Sequence, residues 1–138
     1  EWSSFENAFH GCKNMSIASD AGVPDLNNVN NLSNMFHGCS KVNADFSNWD
    51  LSSITAVEDM FEGVNSMSTD NFDATLLGWA TDITGAVDGD DDIPSGLDFG
   101  TVSPKICSSV RRVIGNSYQM DWSRTRSFRC DYKGTSFG

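Results

Sequence analysis

Residues 34–39 read NMFHGC, residues 7–12 read NAFHGC, and residues 59–64 read DMFEGV. Near-identity at three places restricts the fold more than any other feature of the chain. Aligned on this hexapeptide, Phe9, Phe36 and Phe61 correspond at spacings of 27 and 25 residues. Gly11, Gly38 and Gly63 fall in step, followed by Cys12, Cys39 and Val64, then Met15, Val42 and Met67, then Ile17, Ala44 and Thr69. Upstream, Phe5 matches Leu32 and Val57, and Trp2 matches Val29 and Ile54. A period in the twenties is the mark of stacked coils, each of which buries its apolar face only against its neighbours.

Within one unit the local period changes. Residues 29–36, VNNLSNMF, carry apolar side chains at 29, 32, 35 and 36, which predicts a short helix or helical turn. Gly38 then accepts positive φ and ends it. Residues 41–46, KVNADF, alternate, with Val42 and Ala44 on one face and Lys41, Asn43 and Asp45 on the other, as in a strand. SNWDLSS over 47–53 is rich in turn formers and predicts a return loop. The expectation is an α/β repeat with a helical turn and a short parallel strand in every coil.

The residues also carry a family resemblance. NAFHGCKNMSI over 7–17 resembles the repeat of BspA-type leucine-rich-repeat surface proteins. LSNMFHGCSKVNADFSNWDLSSITAVEDMFEG over 32–63 is more similar to the 25-residue repeat of mycoplasma surface lipoproteins. NFDATLLGWA over 71–80 resembles the segment that closes such arrays, and CSSVRRVIGNSYQMDWS over 107–123 resembles the helix-plus-strand cap that follows them. The resemblance implies a short leucine-rich-repeat-like solenoid with a C-terminal helix–strand cap, displayed at the cell surface and engaged in adhesion. One departure is ASDAGVPDLNN, over 18–28, which is two residues longer than its counterpart and lacks the Trp.

The expected organisation is a repeat body over 1–80, an acidic loop over 81–98, a cap over 99–123 and a basic tail over 124–138. Trp2 and Phe5 already occupy repeat positions, so no cap is expected ahead of them, and the chain reads as a mature product or excised fragment. A hydrophobic content of 38 % is low for a globule but suits a thin, elongated core. Residues 1–104 hold 2 basic and 17 acidic side chains, a charge of −15, and residues 105–138 hold 7 basic and 2 acidic, +5. So acidic a body repels nucleic-acid phosphates. The basic end, with Arg111, Arg112, Arg124, Arg126 and Arg129, suits an acidic partner or the chain's own acidic body. No apolar run reaches the length of a membrane span, and no signal peptide is present in the sequence.

Stacking sets His10 beside His37 and Cys12 beside Cys39, roughly 5 Å apart. Three arrangements stay open: a zinc site, a Cys12–Cys39 disulfide, or a buried Cys ladder with His at the surface. Cys107 and Cys130 form a second candidate pair that would staple the tail. Asp88, Asp90 and Asp92 alternate as calcium ligands do, but Ile93 and Phe99 stand where an EF-hand loop needs Gly and Glu. No nucleophile–His motif or Gly-rich phosphate loop is present, so no enzyme activity and no cofactor are expected. The outward faces of successive strands would line up as a polar ladder of Asn14, Ser16, Lys41, Asn43, Asp45, Ser66, Ser68 and Asp70. A bulky Trp at Asn43 is expected to leave folding intact. Two functions follow as expectations: an extracellular or cell-surface module binding protein or glycan, or a subunit of a surface filament or wall layer that binds copies of itself end to end.

Overall fold

The computed structural model describes residues 2–80, 97–107 and 119–121. Asp88, Asp90, Asp92, Cys130, the basic tail and most of the expected cap helix lie outside the described residues.

The recurring hexapeptide is a backbone device. Its first residue has positive φ in all three copies, at Asn7 (58°), Asn34 (57°) and Asp59 (53°), and its glycine does too, at Gly11 (77°), Gly38 (76°) and Gly63 (77°). Asn and Asp are the side chains that tolerate this left-handed region best, and Gly enters it freely. Two such residues in six prevent an α-helix from propagating. The expected helical turn is instead a run of linked tight turns, in which Ala8, His10 and Cys12 donate their N–H groups to the carbonyls of Phe5, Asn7 and Phe9. The intervening N–H groups point out of the coil. Phe5, Asn7, Phe9 and Gly11 donate to Asn31, Ser33, Met35 and His37, and Leu32, Asn34, Phe36 and Gly38 donate to Ala56, Glu58, Met60 and Glu62. In the first two coils every N–H from Phe5 to Cys12 and from Leu32 to Cys39 is used, alternately within its own coil and toward the next.

Parallel bridges join Ser4 to Asn31 and Asn31 to Ala56. They lie just upstream of the hexapeptide, and not in the 41–46 segment expected to be a strand, which has no strand assignment. The physical reason is where that segment's neighbours find their hydrogen bonds. Ser66 N–H reaches Ser40 carbonyl (3.1 Å), but Ser68 N–H reaches the Asn43 side chain (2.8 Å) and Phe46 N–H reaches Thr75 Oγ1 (2.9 Å). Side chains replace the carbonyls that a ladder would need.

Burial follows the repeat. Leu32, Val57, Ile54, Leu51, Met60 and Val64 are all buried, around a column of phenyl rings. Phe9 lies 5.8 Å from Phe36 with ring planes 9° apart, and Phe36 lies 6.3 Å from Phe61 at 14°. A fourth ring, Phe99, continues the column at 6.3 Å and 11° from Phe61, although it comes from outside the repeat. Beside the rings runs a column of glycines so close that a Cβ on Gly63 would sit 3.1 Å from the Gly38 Cα.

The third coil closes differently. Helix α1 spans Thr69–Trp79. Ser68 caps it by accepting from Asn71 N–H, and Asp70 sits in its positively polarised first turn. Phe72, Thr75, Leu76 and Trp79 form the buried stripe, at helical spacing. Thr75 Oγ1 and Trp79 Nε1 take the N–H and carbonyl of Phe46, so side chains of α1 satisfy the backbone where a strand would have done so. Strand β1 (Asp98–Thr101) pairs in parallel with β2 (Gln119–Asp121), within the stretch expected to form the cap. β1 locks onto the third coil: Asp59 N–H donates to Phe99 carbonyl (2.9 Å), Thr101 N–H to Asp59 Oδ1 (3.0 Å) and Gly63 N–H to Ser103 Oγ (2.6 Å).

Asp73 is a buried carboxyl on α1, only 1 % exposed, whose Oδ1 accepts from Cys107 N–H at 3.0 Å. Loss of water raises it from 3.8 to about 6; the Cys107 hydrogen bond opposes the rise and the Asp70 charge adds to it. Because the folded state holds this proton more tightly than the unfolded chain, stability falls as pH rises from about 4 to about 6. Asp73→Asn keeps an acceptor for Cys107 and is expected to flatten that slope, with a gain above pH 6 on the order of 1 kcal/mol. Denaturant melts of both forms from pH 4 to 7 test this; parallel curves would refute it.

Candidate binding face

The structure places Asn14, Ser16, Lys41, Asn43, Asp45, Ser66, Ser68 and Asp70 in exposed positions, while Met15 and Ile17 are half-buried and Val42 and Met67 are buried. The in–out alternation holds although no strand carries it. Three of the eight accept structural hydrogen bonds, Asp45 locally from Ser47 N–H (2.8 Å) and Asn43 and Ser68 at the start of α1. Asn43 Oδ1 accepts from Ser68 N–H (2.8 Å) and from Asn71 Nδ2 (2.9 Å), bracing the start of α1 against the second coil. Asn43 faces outward as expected, but Trp there would remove both bonds, so the substitution is now expected to cost stability. Ser68 is the N-cap and Asp70 lies within α1, so the third row of the face is the mouth of a helix and not a strand. Lys41, Asp45 and Ser66 are free of such duties toward α1. Short hydroxyl, amide and carboxylate groups of this kind can hydrogen-bond sugar hydroxyls or peptide backbone.

Next to the ladder opens a groove of about 830 Å³. Ser16, Asn43, Asp45 and Asn71 form part of its rim, Phe5, Phe9, Met15 and Ile17 line one part, and Met35, Phe36, Phe46 and Trp49 form the floor. The groove is the interior of the first coil. In the second coil Phe46 and Trp49 fill the equivalent space, 5.3 and 6.2 Å from Phe36. In the third, Phe72 and Trp79 fill it, 5.7 and 6.1 Å from Phe61. A shift of 27 residues puts Ser19 and Gly22 at the registers of Phe46 and Trp49. Among the described residues Phe9 has no ring neighbour from its own coil, and it is 38 % exposed, against 1 % for Phe36 and 0 % for Phe61. Trp2 and Val23 are also open, at 75 and 56 %. The missing Trp of residues 18–28 was the sequence signal for this space.

The histidines and cysteines separate. His10 and His37 lie side by side, ring centres 4.8 Å apart, with His37 Nδ1 3.0 Å from Asn34 Oδ1. Cys39 is buried and donates its Sγ–H to Phe9 carbonyl at 2.9 Å, and burial pushes its thiol upward. Cys12 is exposed, and both thiols are free, so the Cys12–Cys39 bridge is not formed. The bond to Phe9 turns the Cys39 sulfur into the coil. Among the described residues no three His, Cys, Asp or Glu come together as metal ligands. Cys107 is disulfide-bonded; Cys130 lies outside the described residues. No helix of the described residues is long and apolar enough to cross a membrane.

A family model described as "Mycoplasma protein of unknown function, DUF285" matches residues 3–85. No curated protein and no solved structure matches the chain.

Proposed function

The chain belongs to the DUF285 family, and from that premise we propose that it is a non-catalytic module of a surface-displayed repeat protein, binding protein or glycan through its polar face. In this reading the coils are those of a leucine-rich-repeat-like solenoid of the BspA type, and the module works outside the cell in adhesion. The observation that carries the reading is the polar ladder: eight short or charged side chains, all exposed, beside a ledge whose N–H groups are engaged in the first two coils. A rigid scaffold with an adaptable polar surface spends little ordering entropy on binding. Immobilised glycans and extracellular-matrix proteins provide the test. Lys41→Glu combined with Ser66→Glu is expected to weaken the retained interaction about tenfold, close to 1.4 kcal/mol, with unfolding unchanged within about 0.5 kcal/mol. Unaltered retention would remove the polar face from consideration.

A second reading, a subunit that stacks end to end in a filament or wall layer, draws on Trp2 and Phe9, exposed together at one end of the stack. Electron microscopy of the purified chain separates the two: polymers favour the second reading, dispersed particles the first.

A further inference from the structure

The open interior of the first coil differs from the polar ladder in chemistry, and the neighbouring coils indicate what fills such a space. We propose that it is a binding site for a partner's peptide segment carrying two aromatic side chains flanked by basic residues. Each of the next two coils inserts one phenyl and one indole against its column ring, at 5.3–6.2 Å, and the first coil supplies Ser19 and Gly22 instead. The vacant volume, about 830 Å³, lies within the ordinary range for binding pockets.

Two features define the occupant. Phe9 is 38 % exposed and, among the described residues, touches only the ring of Phe36, so an inserted phenyl and indole supply beside it the contacts that Phe46 and Trp49 make with Phe36. Finally, Asp45 is the one charged side chain in the lining, and residues 1–104 carry 2 basic against 17 acidic groups. An acidic peptide is repelled and a basic one is drawn in.

The groove shares Ser16, Asn43 and Asp45 with the ladder but not Lys41 or Ser66, so the Lys41 and Ser66 substitutions test the ladder reading without touching the groove's lining. The probe is a blocked, dye-labelled hexapeptide, Lys-Phe-Ser-Asn-Trp-Lys, which repeats the Phe–Trp spacing of the second coil, titrated into the full chain by anisotropy. Saturable binding is expected, weakened about tenfold or more when the peptide Trp becomes Ala, and about tenfold when Glu replaces both Lys. Ser19→Phe places a ring in the groove from within; it is expected to abolish binding and to raise Tm by a few degrees. Val23→Lys, at an exposed lining position that does not affect the core, is expected to weaken binding about tenfold by repulsion. Absence of saturation up to roughly 1 mM peptide overturns the proposal, since that would mean less affinity than a single buried anchor supplies. Undiminished binding of a peptide without aromatics overturns it too, by moving the contact to the polar face. Self-association without peptide that Ser19→Phe abolishes would make a second copy the occupant and equally overturn it.

Discussion

Phe61→Ala is expected to lower the free energy of unfolding by about 4 kcal/mol, whereas Phe9→Ala should cost about 1 kcal/mol or less. Both residues stand at the same place in the same hexapeptide, so the contrast isolates environment from sequence. Phe61 is fully buried and its ring contacts those of Phe36, Phe46, Phe72, Trp79 and Phe99. Truncation there leaves a cavity walled by aromatic rings that α1 and β1 hold in place. These cannot collapse inward without breaking their own hydrogen bonds, and cavities that cannot relax are the costly ones. Among the described residues Phe9 has one ring neighbour, and it has a side open to water, so removal mostly enlarges an existing groove. Denaturant unfolding followed by Trp fluorescence measures both. Equal losses for the two variants would mean that the ring column does not carry the load assigned to it.

Gly78→Ala should destabilise by about 2 kcal/mol, against the direction of helix propensity. An alanine inside a helix is ordinarily better than glycine by about 1 kcal/mol. At this position, however, a Cβ would stand 2.4 Å from Ser47 Cβ, 2.9 Å from its Cα and 3.0 Å from its carbonyl oxygen. Only part of that obstacle is side chain, so the helix or the 47–49 loop must move, and overpacking of this kind costs up to about 3 kcal/mol. The steric term wins. Ser47→Gly in the same chain is expected to recover some of the loss but not all, because the backbone atoms remain. Thermal melts of the two single variants and the double variant decide; a stabilised Gly78→Ala chain would show that α1 does not pack this closely on the second coil.

Several features were legible in the letters alone. The spacing of Phe9, Phe36 and Phe61 predicted neighbouring rings, and these lie within 6.3 Å of one another in sequence order. Alternation at Met15, Val42 and Met67 against their polar neighbours predicted which side chains face water. The conformation that delivers this pattern was not legible. An apolar spacing of 29, 32, 35 and 36 suits a helix, and only the positive φ of Asn34 replaces it with linked turns. That preference resides in one dihedral angle, which hydrophobic periodicity does not report. Thr69 was aligned with a strand position, yet Ser68 and Asp70 are respectively a helix cap and a first-turn acid, a start signal that the repeat register obscured. Phe99 is the fourth ring but lies 38 residues after Phe61 with no hexapeptide around it, so nothing local marked it.

The candidate site was half visible for a similar reason. The ladder residues are identifiable by alternation. The groove is identifiable only as something missing, at Ser19 and Gly22, and its chemistry becomes clear once Phe46 and Trp49 are seen filling the equivalent space below. Asn43 shows the opposite failure: its exposure was anticipated, but its two bonds to Ser68 and Asn71 depend on a helix that the repeat pattern did not contain.

Because the first two ledges pass their alternate N–H groups onward to equivalent sets of carbonyls, an interior unit is interchangeable with the one before it. Duplicating residues 29–53 in a gene would insert another storey without altering the joints on either side. The two extra residues in the segment before Val29 already show that a unit's girth can vary while its joints stay fixed. Length in such a protein is thus free to drift by whole units, and natural variants should differ in storey count far more readily than in the hexapeptide that joins them.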